Sequence, residues 1–343
     1  MRSDKPTIAQ VAQSAQVSKT TVSRYLNGRF EFMSAETRKR IQTVIEELEY
    51  RPNNLARGLK SKRSGLIGVL VADISSPFSS ILVKGIGDHC KQNGFQTIIV
   101  NTDNDPAKER EYIQALMDNR VEGLIVNVTG KHNDFLLELR EQGVPIVLAD
   151  RPLEHLDFDT VTSNNFQMTY DTVQHLHQEG FRRVAFFTQD VSEIQTRYTR
   201  YQAFLQACRD LYDIQGDDWV YVIEPADIES VVRELNTFLL NGVGPSAVFA
   251  VNGVTLLSVV QAITRLKLTM PTDIGLCGYD DWGWAAVIPP GITVISQPSY
   301  RVGIEASKRL IQQILSNRRF KPKLVELPSE LVIRGSTVLH PKS

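Results

Sequence analysis

The feature that most constrains this 343-residue chain is a regular exchange of two hydrophobic periods from Gly65 onward. Short apolar runs, "LIGVLVA", "QTIIVN", "GLIVNV", "PIVLAD", "RVAFFT", "WVYVIE", "SAVFAV" and "IGLCGY", read as buried strands. Between them lie amphipathic stretches such as "FSSILVKGIGDHCKQNG" and "AKEREYIQALMDN", whose spacing is helical. Strands that alternate with helices build parallel sheets covered by helices on both faces. Eight or more such units exceed one comfortable sheet, so two α/β lobes are expected. Ligands of such lobes sit beyond the carboxyl ends of the strands, and two facing lobes enclose a cleft able to close on a small molecule. Strand ends therefore nominate Ser76 and Phe78 within the segment 73–80, then Asp103, Asp150 and Arg151. In the second lobe they nominate Thr196, Arg200, Asn252 and Asp280, followed by Asp281 and Trp282. Loop capping and surface pairing use the same residue types. Trp282 and Trp284 read first as packing aromatics.

The head of the chain is different. Residues 1–63 carry thirteen Lys and Arg against six Asp and Glu, a surplus of seven, so a net charge of −1 leaves −8 for the rest. A basic head on an acidic body points to a module for a polyanion. Thr7 can cap a helix through "IAQVAQSA", "QVS" makes a turn, and Ser18 caps a second helix, Lys19 to Leu26, stopped by Asn27 and Gly28. A third starts at Ser34 with Ile41, Ile45 and Leu48 as its stripe. Two short helices across a tight turn, braced by a third, make a helix-turn-helix, whose second helix enters the DNA major groove. Along "VSKTTVSRYLNGR" the outer face offers Thr20, Thr21 and Ser23 with Lys19 and Arg24, short donors and cations suited to phosphates and base edges.

"TIAQVAQSAQVSKTTVSRYLNG" and "RPNNLARGL" closely resemble the N-terminal signature of the LacI/GalR family of bacterial transcription regulators. The resemblance continues through "GLIGVLVADISSPFSS", "RVEGLIV", "GVPIVLADR", "GFRRVAFF", "AVFAVN", "DIGLCGYDD" and "TVISQPSYRVG", in the family's order, over nearly the whole length. It implies an all-α helix-turn-helix domain (1–52), a hinge helix and linker (53–63), and a two-lobed core like the periplasmic sugar-binding proteins (64–343). The first lobe is expected at 64–163 plus 291–326 and the second at 164–290 plus 327–343, with crossings near Ser163, Pro290 and Glu326. By resemblance Lys19, Thr20 and Arg24 face bases, Thr21 and Ser23 face phosphates, and Asn53, Ala56 and Leu59 belong to a hinge that orders on DNA. Leu59 matches a minor-groove wedge. Arg200 matches the effector-gripping arginine, Asn252 and Asp280 hydroxyl-binding positions, and Gln297 another cleft position. Three positions depart from the family: Gly253 stands where Asp is usual, Asp103 where some sugar-responsive members have Arg, and Ala203 where glycine is usual. The subgroup that looks most similar regulates ketogluconate and ketodeoxygluconate catabolism.

An enzyme is not expected. There is no G-x-S-x-G elbow and no P-loop, and "KGIGDHC" lacks the third glycine of a dinucleotide fingerprint. His175 and His177, two apart on a predicted helix, cannot share a metal there, and no cofactor is expected. Cys90, Cys208 and Cys277 are widely spaced, no run has transmembrane length and no signal peptide leads the chain, so a reduced, cytoplasmic protein follows. The reading is a homodimeric repressor of carbohydrate catabolic genes on a near-palindromic double-stranded operator, released by a sugar or sugar-acid effector. Tetramerising relatives carry a leucine-heptad tail, whereas "STVLHPKS" follows the last strand directly, hence the dimer. The same machinery fits a co-repressor, and the core alone fits a cytosolic sugar-binding protein.

Overall fold

The computed structural model describes residues 6–26, 28–50, 63–130, 133–316 and 320–339. It separates into two compact units, Met1–Ser64 and Gly65–Ser343. In the first, α1 (Ile8–Ser14) opens on a reciprocal cap: Thr7 N–H donates to Gln10 Oε1 at 2.7 Å and Gln10 N–H to Thr7 Oγ1 at 3.4 Å. Ser18 Oγ accepts from Thr21 N–H at 3.1 Å and starts α2 (Lys19–Leu26), and Ser34 does the same for α3 (Ala35–Glu47) through Thr37. Val11, Ala12, Ala15, Val22, Ile41 and Val44 form the core, with Ile45 and Leu48 only partly buried against it. Arg40 Nε donates to Ala15 O at 2.9 Å, tying α3 to the turn between α1 and α2.

The second unit holds two six-stranded sheets. The first contains β1 (Leu66–Val71), β2 (Gln96–Asn101), β3 (Leu124–Val126), β4 (Ile146–Ala149), β5 (Asp159–Ser163) and β11 (Leu324–Leu327), in the order β11-β5-β4-β3-β1-β2, parallel throughout. Helices α4 (Pro77–Gln92) and α12 (Ser299–Ser316) cover one face, α5 (Pro106–Asp118) and α6 (Asp134–Glu141) the other. The second contains β6 (Arg183–Thr188), β7 (Val220–Val222), β8 (Ser246–Ala250), β9 (Gly275–Tyr279), β10 (Thr293–Ser296) and β12 (Glu330–Val332), in the order β12-β10-β9-β8-β6-β7. Only β12 is antiparallel to its neighbour there. Helices α7 (Asn165–Gln178) and α8 (Gln195–Tyr212) pack on one face, with α9 (Ile228–Leu240), α10 (Gly253–Leu266) and the short α11 (Trp284–Val287) on the other. The central strands β1, β3, β4, β6, β8 and β9 are buried on both faces, which explains why apolar runs announced them so directly.

Two expected crossings shift. β10 pairs with β9 in the second sheet, Thr293 opposite Cys277 and Ile295 opposite Tyr279, so the chain leaves that lobe at Gln297 rather than near Pro290. Pro289 and Pro290 only end the loop after α11, and "TVIS" then adds one more strand to the same sheet. Leu327 still pairs with Ser163 in the first sheet, so the last crossing follows it instead of Glu326. The three cysteines are free and buried, and burial pushes the Cys90 thiol up to about 11 and that of Cys208 to about 12.

Helices α4 and α12 meet backbone to backbone. A Cβ at Gly85 would lie 2.2 Å from Tyr300 O, and one at Gly303 would lie 2.3 Å from Leu82 O. Neither neighbour is a flexible side-chain end, so the helices themselves must separate. Gly85→Ala is expected to lower stability by about 2–3 kcal/mol, read from the urea midpoint of the purified protein. Adding Gly303→Ala should cost less than the sum, because one separation relieves both clashes.

Candidate functional site

On α2, Val22 is buried while Lys19, Thr20 and Arg24 are exposed. Thr20 and Arg24 each stand two residues from Val22, which at about 100° per residue turns both to the opposite side of the helix. Thr21 and Ser23 are half-buried, and the Thr21 hydroxyl is already engaged by Ser18 Oγ at 2.9 Å. Thr7 and Ser18 serve as caps. Phe32 is exposed beside the Arg24 guanidinium, 5.7 Å from ring centre to Cζ. This arrangement presents cations and hydroxyls with no acid in the first turn of α2. Asn27, Asn53, Ala56 and Leu59 lie outside the described residues.

Between the two sheets of the second unit is a cavity of about 170 Å³. It gathers Ser76, Phe78, Asp150 and Arg151 from the first lobe, Thr196, Arg200 and Asn252 from the second, and Gln297 from the second crossing. Asp280 lies buried behind that wall, held by Gln297 Nε2 at 2.7 Å and the Gly253 N–H at 3.1 Å. Asp103 does not join the cavity. It is exposed, pairs with Lys108 at 2.6 Å, and accepts from Asn101. Left-handed backbone at both Asp103 (φ 54) and Asn104 (φ 56) turns the chain, so that Asn104 lines the cavity instead and accepts from Arg151 Nη1 at 3.0 Å.

Trp282, nominated after β9 but read first as a packing aromatic, also lines it, and so do Asn127, Gln189 and Arg197, which the sequence did not single out. Asn127 follows β3 and Gln189 follows β6, so the strand-end rule, applied to every strand, would have found both. Arg197 sits in the first turn of α8 beside Thr196, where sequence gives no helical phase relative to the cleft.

Arg200 is held before any ligand arrives. It is 5% exposed, donates to Asn165 Oδ1 at 2.8 Å, Val251 O at 2.7 Å and Gln297 Oε1 at 3.1 Å, and lies 3.5 Å over the Tyr279 ring. Asn252 caps α10 through Thr255 N–H at 2.9 Å and donates to Gln189 Oε1 at 2.7 Å. Asp150 and Asp280 occupy matching places in the two lobes. Each directly follows a strand at positive φ (71 and 78), and each N–H donates to the next strand, to Val161 O at 2.7 Å and Ile295 O at 2.9 Å. Strain of this kind concentrates where a side chain must be aimed.

Burial pushes the Asp150 and Asp280 carboxyls above the usual range, against the pull of nearby arginines. Arg151 is lowered by burial and supported by Asp150, Glu109 and Asp73. Arg197 is pushed down to about 10, by burial first and then by the charges of Arg151 and Arg200. Helices α4, α8 and α10 all begin at the cavity, with Ser76, Ile194 and Asn252 as their N-cap residues. Three arginines and three helix N-termini converging on one space suit an anion, while the amides and carboxylates suit hydroxyls. Among the described residues no three His, Cys, Asp or Glu side chains are placed to hold a metal ion, and no helix is long and apolar enough to cross a membrane.

Known proteins resemble both units. Residues 7–53 match bacterial regulatory proteins of the lacI family, and residues 64–334 match the periplasmic binding proteins and sugar binding domain of the LacI family. The HTH-type transcriptional regulator KdgR of Bacillus subtilis is 40% identical over 331 residues, 96% of this chain and 97% of that one. The HTH-type transcriptional regulator PtxS of Pseudomonas aeruginosa is 36% identical over 338 residues, 98% of this chain and 96% of that one. The crystal structure of the lac repressor dimer bound to operator and the anti-inducer ONPF superposes with a TM-score of 0.85 at 25% identity, covering 98% of this chain and all of that one.

Proposed function

The chain belongs to the LacI family of bacterial regulatory proteins, a transcriptional regulator and not an enzyme, and on that footing we propose that it is a cytoplasmic homodimeric repressor of carbohydrate catabolic genes whose effector is a sugar acid. Two heads then read a near-palindromic operator, with α2 in the major groove and the segment 53–63 ordering between them. The effector occupies the cavity between the lobes and weakens the operator complex. Support for the operator and the dimer comes from the likeness to the lac repressor complex. Support for the acid comes from one observation above all: Arg151 of the first lobe and Arg197 and Arg200 of α8 line the same cavity, so a carboxylate entering there meets three guanidinium groups.

A neutral sugar is the second reading, favoured by Asp150, Asn127 and Asn252 as hydroxyl partners. Thermal melting and operator competition with aldonic and ketoaldonic acids, against neutral sugars of equal carbon number, separate the two. At a hundredfold excess over Kd the acid is expected to add about 2.7 kcal/mol of stability, and to weaken operator binding 5- to 150-fold, a coupling of about 1–3 kcal/mol. A neutral sugar that stabilises more than every acid would overturn the acid. A compound that tightens the operator complex would make the effector a co-repressor.

A further inference from the structure

Gly253, the first residue of α10, has no room for a side chain. A Cβ there would lie 2.5 Å from Trp282 Cη2, 2.6 Å from Cζ2 and 2.8 Å from Cζ3. The indole is therefore seated on the glycine backbone. That backbone also donates to Asp280 Oδ2, two residues before the tryptophan. The loop is fixed on its far side as well, where Asp281 Oδ2 takes Arg334 Nη2 at 2.6 Å and Gly283 turns at φ 82 into α11. Trp282 thus has an anchored stem and a rigid seat, and it lines the cavity with Phe78, Ile194 and Val254 as the apolar part of the wall.

We propose that Trp282, held in place by its seat on Gly253, sets the size of ligand the cavity accepts. The inference rests on the reading of that cavity as the effector site and adds a residue pair that governs its selectivity. Polar groups on the other walls choose charge and hydroxyls. The indole sets how much volume is left for them, and its position is fixed by a backbone, so one methyl group at residue 253 displaces the whole ring. The ring borders the cavity, and in a space of about 170 Å³ such a displacement takes up room the ligand needs.

Full-length wild type, Gly253→Ala, Trp282→Ala and the double variant are titrated calorimetrically with six-carbon sugar acids, neutral hexoses and the same acids carrying a glycosyl group. Each is also bound to duplex DNA to confirm folding. Gly253→Ala is expected to weaken whichever compound the wild type binds at least tenfold, equal to about 1.4 kcal/mol. The double variant should bind within threefold of Trp282→Ala, and Trp282→Ala should admit the glycosylated compound. In a Trp219→Phe/Trp284→Phe background, acrylamide quenching of Trp282 without ligand should rise on Gly253→Ala. Wild-type affinity in Gly253→Ala, or a double variant weakened by the product of the single effects, overturns the pair while leaving the sugar-acid reading intact. If the wild type binds a hexose and no acid, the acid falls and the pair is judged by the same ratios. If it binds none of these, unchanged quenching overturns the seat, and raised quenching upholds it.

Discussion

Arg200→Ala is expected to abolish the effector response and also to destabilise the second unit by about 3–5 kcal/mol. The two losses have one cause. The guanidinium serves Asn165, Val251 and Gln297, and Gln297 in turn holds Asp280, so removing it takes the donor from Val251 O and leaves Asn165 Oδ1 and Gln297 Oε1 to share the one Ser163 hydroxyl. Each such group costs about 1–3 kcal/mol when left unpaired, and the lost cation over Tyr279 adds to that. With about 2–4 °C per kcal/mol for a unit of this size, the melting temperature should fall by roughly 6–20 °C. A lysine cannot substitute, because a point charge does not reproduce three bonds in one plane.

The pH dependence has a definite sign. The Asp280 carboxyl is already raised by burial, and Arg200 is the largest opposing charge. A carboxyl raised in the folded state favours folding most when protonated, and that contribution is lost as pH rises through its folded value. Without Arg200 the carboxyl is raised further, so the deficit of the variant should widen as pH rises above the ordinary carboxylate range. Melting curves across a pH series and an effector titration at low temperature measure all three effects. A variant with wild-type stability would reduce Arg200 to a ligand contact. One that is destabilised but still responds would make it purely structural.

What sequence could reveal here depended on whether the signal was local. Strands such as β1 and β4 are buried on both faces, so a run like "LIGVLV" declares itself, and residues just after such runs fell in the cavity: Ser76, Asp150, Arg151 and Asn252. Asp103 missed by one residue, because two successive left-handed residues decide which side chain faces inward, and neither is a glycine that would mark the turn. β10 was given to the wrong lobe because a short β-branched run does not say which sheet it joins. The contact between Gly253 and Trp282 joins a helix start to a separate loop and leaves no periodic trace. Lone glycines at helix starts are common, and only the indole over this one gives it meaning.

The second large effect is expected at the head. Replacing Lys19 and Thr20 together by alanine should remove most of the preference for operator over scrambled duplex while leaving general affinity for DNA. Buried Val22 fixes the rotation of α2, so Thr20 and Arg24 share the outward side, and Lys19 stands at its leading end. A side chain reading a base edge contributes about 1–3 kcal/mol of discrimination, so two lost together predict a fall in specificity of roughly thirtyfold or more. Arg24→Ala differs in kind if its charge also counters a phosphate: each such contact removed lowers the slope of log affinity against log salt by about 0.9. Ser18→Ala differs again, since Ser18 accepts from Thr21 N–H, and losing a cap costs about 1 kcal/mol of helix stability for every DNA sequence alike. Fluorescence anisotropy with both duplexes across a salt series separates the three outcomes. Unchanged discrimination in the Lys19→Ala/Thr20→Ala protein would mean that α2 does not read the operator with its leading end, and the orientation of the head on DNA would have to be drawn anew.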